Sequence, residues 1–169
     1  FDKFQLGAPS YAVGVAAIKD TAEIGSYLRM KEVRRLLPAD LQFVKFLWER
    51  PSEGSEVVEL FALKSNRENV PRISGDVVSD ARDDFDISGK PAVSMTMNTK
   101  GAKEWEKLTG DAYTNQTGIA IVLDNQVYTA PGVSSGPISG GRSEITGAFT
   151  VNETKDISNV LRAGKLPAS

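Results

Sequence analysis

Residues 91–98 read Pro-Ala-Val-Ser-Met-Thr-Met-Asn. Val93, Met95 and Met97 alternate with Ser94 and Thr96, the two-residue period of a strand with one buried face. Asn98 or Thr99 can then accept the orphan N–H bonds of a helix start. Ala102, Trp105 and Leu108 follow at helical spacing, and Gly110 stands where a helix-ending residue belongs. A strand that runs straight into a capped helix fixes which sheet face is buried and what covers it. Any fold for this chain must accommodate that unit.

The remaining elements are read around it. Asp20 with Glu23 has the form of a capping box opening a helix with Ile24, Tyr27 and Leu28. A second helix carries Val33, Leu36 and Leu37 and stops at Pro38. Residues 41–48 and 56–64 are rich in β-branched and aromatic side chains, and the polar loop between them holds Pro51 and Gly54, which predicts a hairpin. The polar stretch 65–75 divides the chain into parts 1–70 and 71–169. Ile119–Leu123 is apolar on both faces and is expected to be a buried central strand. Asp124-Asn125 makes a tight turn, and Val127–Thr129 pairs back. Residues 143–147 form a short strand. Thr150 and Glu153 form a capping box, Ile157, Val160 and Leu161 line the helix it opens, and Gly164 and Pro167 end it. The order after residue 71 is helix, strand, helix, two or three strands, helix. This predicts an α+β fold, a mainly antiparallel sheet with helices packed on one face and ferredoxin-like elements.

Composition removes several chemistries. Among 169 residues there is no histidine and no cysteine. Imidazole and thiolate metal sites are therefore excluded, as are disulfides. The net charge is -2, with no basic stripe of the kind nucleic acid requires. No apolar run approaches the ~20 residues of a membrane span. The chain starts at Phe1 and stops just after a helix, so it is expected to be a soluble domain of a longer protein whose membrane segments lie elsewhere.

Two motifs suggest chemistry and lose it on inspection. Gly132-Val133-Ser134-Ser135-Gly136 fits the G-x-S-x-G elbow of serine hydrolases, with Ser134 as nucleophile. The elbow needs a following helix and a histidine base. The chain has no histidine, and Pro137-Ile138-Ser139-Gly140-Gly141 cannot start a helix. Asp84, Asp86, Ser88 and Gly89 fit the first positions of a calcium loop, but Pro91 and Met95 stand where an apolar donor residue and a bidentate glutamate belong. Residues 80–89 are better read as a helix end and a solvated turn. No catalytic residue, cofactor site or metal site is assigned. Asn115-Gln116-Thr117 and Asn152-Glu153-Thr154 match the glycosylation acceptor pattern, but Glu153 already has a capping role.

The remaining candidates are apolar side chains. Residues 41–48 are largely apolar on both faces. One face must pack on the helices of residues 20–37, and the other needs a cover or is a binding surface. Phe46, Trp48 and Phe61 are the candidates in the hairpin, and Val133 and Ile138 in the small-residue loop 130–141.

Five stretches carry a family resemblance: GKPAVSMTMNTKGAKEWEKLT, IAIVLDNQVYTAP, the Gly140-Gly141 pair, ITGAFT and LRAGKLPA. In this order and spacing they resemble the first large periplasmic domain of the SecD/SecF family, over residues 71–168. Residues 1–70 match it less and read as an insertion or lineage-specific part. SecD is the proton-motive-force-dependent accessory subunit of the bacterial Sec preprotein translocase. The resemblance implies an inner-membrane parent protein with this domain on the periplasmic side. It implies contact with unfolded preprotein leaving the SecYEG channel, and partnership with SecF and SecYEG through the parent. Membrane contact is expected only through segments outside this chain. No enzyme activity and no cofactor are implied. A hydrolase acting through Ser134, or a purely structural spacer, are the alternatives.

Overall fold

The computed structural model describes residues 4–5, 11–147 and 149–164. They fall into two units, residues 1–70 with 120–130 and residues 71–119 with 131–169.

In the first unit, β1 (Phe4–Gln5), β2 (Gly14–Ala17), β3 (Lys45–Trp48) and β4 (Val57–Leu63) form an antiparallel sheet in the order β1-β2-β4-β3. The expected hairpin is present, with Phe46 opposite Ala62, Leu47 opposite Phe61 and Trp48 opposite Leu60. Its first strand is shorter than predicted, because Ala39–Leu41 form a 3-10 turn and the two-residue period starts only at Lys45. β4 is central, and Val58, Leu60 and Phe61 are buried.

Helices α1 (Thr21–Arg29) and α2 (Lys31–Arg35) accompany this sheet. The Asp20–Glu23 capping box does not form. Residues 18–20 are already a 3-10 turn, so Asp20 sits at φ -96°, ψ -8° and its side chain makes no cap bond. Thr21 Oγ1 instead donates to the Ile18 carbonyl at 2.8 Å. Leu36 does not line α2 either. It lies beyond the last turn and is 83% exposed.

Residues 119–123 are not a central strand. β7 (Ile121–Leu123) and β8 (Gln126–Thr129) make a separate two-stranded hairpin in the first unit, and Val122 is exposed. The turn is as expected, with Asp124 and Asn125 both at positive φ, 50° and 60°. Such left-handed pairs match the twist of the strands they join.

The second unit holds a three-stranded antiparallel sheet, β5 (Val78–Phe85), β6 (Pro91–Met97) and β9 (Arg142–Thr146), in the order β5-β6-β9. Residues 78–85 are therefore strand, where the sequence suggests the end of a helix. A bulge between Val78 and Asp80 breaks the apolar period, which hides the strand. Asp86 builds the turn that follows, its Oδ1 accepting from the Ser88 and Lys90 N–H groups at 2.8 and 2.9 Å.

β6 behaves as its pattern dictates, with Val93, Met95 and Met97 buried. The Asn98 side chain caps α3 (Thr99–Asn115) by accepting from Gly101 N at 2.9 Å. Gly110 does not end this helix. Thr109 and Ala112 continue its buried face, and the left-handed residue is Gln116, at φ 52°. The helix α4 (Val151–Ala163) opens with the complete Thr150–Glu153 capping box and ends at Gly164. Pro167 lies outside the described residues. Val77, Val78, Ala81, Met95 and Met97 form the core, with Ile73, Trp105 and Leu161 packed on it. Trp105 is only half-buried, although it follows at the spacing of the helix's apolar face, and its indole N–H meets no acceptor among the described residues.

Two helix glycines should respond to alanine in opposite ways. A Cβ at Gly101 would lie 2.7 Å from Val77 Cβ and 3.1 Å from Met97 Cβ. Overpacking of a core typically costs about 1–3 kcal/mol, which outweighs the helix-propensity gain of about 1 kcal/mol. A Cβ at Gly25 would meet only the mobile end of Arg29, at 3.2 Å. In urea unfolding, Gly101→Ala should destabilise the chain while Gly25→Ala is neutral or stabilising by up to about 1 kcal/mol.

Candidate functional site

The apolar candidates separate once their surroundings are known. Phe61 is 7% exposed and packs with Leu47 and Val127. It is a core residue and offers almost no surface. Val127 is fully buried and comes from the β7–β8 hairpin, which supplies the cover that one face of the 41–64 hairpin needed. Main-chain bonds hold it there: Glu49 bridges to Val127, and Arg50 N donates to the Val127 carbonyl at 2.8 Å. Lys45 Nζ reaches Asn125 Oδ1 at 2.8 Å, and the Arg50 guanidinium stands 4.9 Å from the centre of the Tyr128 ring.

Phe46 and Trp48 point to the other face of β3 and are half-buried. The Arg34 guanidinium covers the Phe46 ring at 5.5 Å and donates to the Val44 carbonyl at 2.7 Å. A cation over an aromatic face is worth roughly 0.5–1 kcal/mol where solvent reaches it. Arg34 therefore shields Phe46 without closing it off. Phe43, just before the strand, is exposed. Sequence reasoning missed Arg34, because nothing local pairs position 34 with position 46. It also missed Phe43, which the two-residue period assigned to a strand face.

Val133 and Ile138 lie in the second unit and are also half-buried. Their loop is better anchored than its glycine content suggests. Ile119 N donates to the Pro131 carbonyl at 2.9 Å, and Gly118 bridges to Gly132. Ile138 N donates to Thr109 Oγ1 at 2.9 Å, and Met97 N to the Gly141 carbonyl at 2.7 Å. Thr109 is fully buried and its hydroxyl donates back to the Trp105 carbonyl at 2.7 Å.

The chemical motifs fare as follows. Ser134 and Ser135 are exposed in that loop, and the next element is β9, not a helix. The hydrolase reading of Ser134 has no structural support. Asp84 and Asp86 sit on β5 and its turn. Asp86 Oδ1 is engaged by two main-chain donors, and Asp84 Oδ2 accepts from Ser94 Oγ at 3.3 Å. Among the described residues no group of acidic side chains is placed to hold a metal ion.

What these features define is an α+β domain built on small antiparallel sheets, with half-buried aromatic and aliphatic side chains at its strand edge and in an anchored loop. The chain belongs to the SecDF P1 head subdomain family, whose model matches residues 58–168. It is 41% identical to the protein translocase subunit SecD of Rhodothermus marinus over 155 residues, 92% of this chain and 24% of that protein. That alignment takes in most of residues 1–70 as well. The SecDF subunit of Thermus thermophilus is 38% identical over 126 residues, 75% of this chain and 17% of that protein. The chain thus spans a quarter or less of these relatives. A crystal structure of SecDF from Thermus thermophilus, described as a translocon-associated membrane protein, matches 97% of this chain and 28% of that one with a TM-score of 0.50 at 21% identity, which supports the fold alone. The chain is accordingly a domain of the SecD/SecDF type.

The Thr109 hydroxyl should prove the anchor of the loop. Thr109→Val keeps the shape but leaves the Ile138 N–H without its acceptor, at a cost of about 1–3 kcal/mol. Hydrogen exchange at the Ile138 amide should accelerate in that variant, while the amides of β6 keep their relative protection.

Proposed function

We propose that this domain acts without catalysis on the periplasmic side of the bacterial inner membrane. It contacts unfolded preprotein as it leaves the SecYEG channel and assists translocation driven by the proton-motive force. SecF and SecYEG are its partners through the parent protein. The observation that carries this reading is the pair Phe46 and Trp48, half-buried on the terminal strand of the four-stranded sheet.

An exported chain is unfolded and varied in sequence. A surface that holds it must be apolar and undemanding, or must offer a strand edge to its main chain. β3 supplies the apolar side chains, with Phe43 beside it, and is the terminal strand of its sheet, the end of its edge being taken by the Glu49–Val127 bridge; the loop around Val133 and Ile138 is a second apolar candidate. The hold must also be weak, since every 1.4 kcal/mol slows release about tenfold at constant on-rate. Half-buried rings offer only part of their area, which suits a brief contact. The energy source lies outside this chain. A proton crossing 100 mV releases roughly 2.3 kcal/mol, and among the described residues no helix is long and apolar enough to cross a membrane. The domain is the arm that proton flow moves.

A photo-crosslinking amino acid at position 46 or 48 of the full parent protein should capture a stalled exporting chain, whereas one at exposed Tyr113 should not. No capture from 46 or 48, with capture from 133 or 138, would move the contact to the loop. No capture from any of these positions would reduce the domain to a spacer. Trp48→Gln should cost about 1–2 kcal/mol, since part of the ring is already in water, and should slow export severalfold.

A further inference from the structure

The first unit carries a second surface of different chemistry. Arg29 closes α1, Met30 joins it to α2, and Lys31, Arg34 and Arg35 follow in α2. Their i, i+3, i+4 spacing places the last three on one helix face. Arg29, Lys31, Arg34 and Arg35, with Leu37 and Gln42, line one cleft of about 440 Å³. Arg34 is engaged with Val44 and Phe46. Among the described residues, Arg29, Lys31 and Arg35 form no ion pair. Residues 29–35 contain four cations and one anion, Glu32, for a net charge of +3 in a chain whose total is -2. The rest of the chain is therefore net acidic, at -5. Apolar side chains stand at both ends of α2, Met30 at 47% and Leu36 at 83% exposure.

We propose that, contrary to the expectation of membrane contact only through segments outside this chain, the α1–α2 corner itself docks on the surface of an anionic phospholipid bilayer. Arg29, Lys31 and Arg35 take the headgroup phosphates, and Met30 and Leu36 enter the interface between headgroups and acyl chains. Cations beside isolated, projecting aliphatic side chains are the composition of elements that lie on a membrane. An acidic protein partner would satisfy the cations but would need a matching pocket for each of Met30 and Leu36. A fluid interface needs none. The cleft adjoins Phe46 through Arg34, but the cations assigned to lipid are Arg29, Lys31 and Arg35, so the proposal stands whether or not Phe46 and Trp48 meet preprotein.

Each basic side chain near an anionic membrane surface contributes about 1 kcal/mol, which is roughly fivefold in binding. In co-sedimentation, the chain should bind vesicles of phosphatidylcholine mixed with phosphatidylglycerol, and not phosphatidylcholine alone. The double variant Lys31→Gln, Arg35→Gln should weaken binding about 25-fold, and added salt should weaken the parent chain similarly. Leu36→Asp should weaken binding in a way that salt does not mimic. All three side chains are exposed, so unchanged melting temperatures are expected and verify the fold of each variant. Failure to bind the anionic vesicles overturns the proposal, as does binding that both variants retain. Displacement from vesicles by polyglutamate or inorganic phosphate well beyond that given by sodium chloride of the same ionic strength would also overturn it. The corner would then be a site for acidic polypeptide or free anion.

Discussion

Val127 is the side chain on which the first unit depends. It is wholly buried between Leu47 and Phe61, yet it arrives from a hairpin more than sixty positions further along the chain. The strand pair β3–β4 is apolar on both faces, and a sheet of that kind cannot stand with one face in water. Residues 120–130 remove the problem. The main-chain bond from Arg50 to Val127 and the stacking of Arg50 on Tyr128 then fix the register of the cover. Closing a long loop costs only about 0.6 kcal/mol for each doubling of its length. Burying a valine and its two neighbours contributes several kcal/mol. Burial wins, and the excursion is stable.

The same comparison explains what could be read from the sequence. β6, the Asn98 cap, the Asp124-Asn125 turn and the Thr150–Glu153 box are each specified within a few residues, by period or by a side chain bonding its own main chain. All four were legible. β5 was not, because its outward face carries Asp80, Arg82 and Asp84 and a bulge interrupts its inward one. A solvated strand with a broken period looks like a helix end. The fate of Ile121–Leu123 was illegible for another reason. A short apolar run states that it must be covered, but not by which sheet. The candidate surface was legible in part: Phe46 and Trp48 could be named, whereas the burial of Phe61 and the placement of Arg34 come from non-local packing.

The outer face of the second sheet shows how unwanted association is limited. Asp80, Thr96 and Arg142 align across three strands, and Arg82, Ser94 and Glu144 form the next row. Arg82 also pairs with Asp80 at 2.8 Å. Both ion-pairing partners are largely exposed, so the pair contributes little to stability. Its effect is on association: alternating charges on the edge strands β5 and β9 oppose pairing with a stray strand.

Apolar side chains are thus distributed by what must touch them. Where the fold needs closure, as at Val127, Phe61 and Val93, they are buried. Where the chain faces water without a partner, as on the outer face of β5, β6 and β9, charge replaces them. Phe46 and Trp48 fall between these cases, covered enough to cost little when idle and open enough to be reached. Arg34 sets that balance for Phe46: moving its guanidinium off the ring costs roughly 0.5–1 kcal/mol, and giving up its bond to the Val44 carbonyl would add about 1.5–3 kcal/mol. The preprotein contact proposed for these rings would form and break many times as one chain passes, and a cost of that order suits it better than a deep pocket.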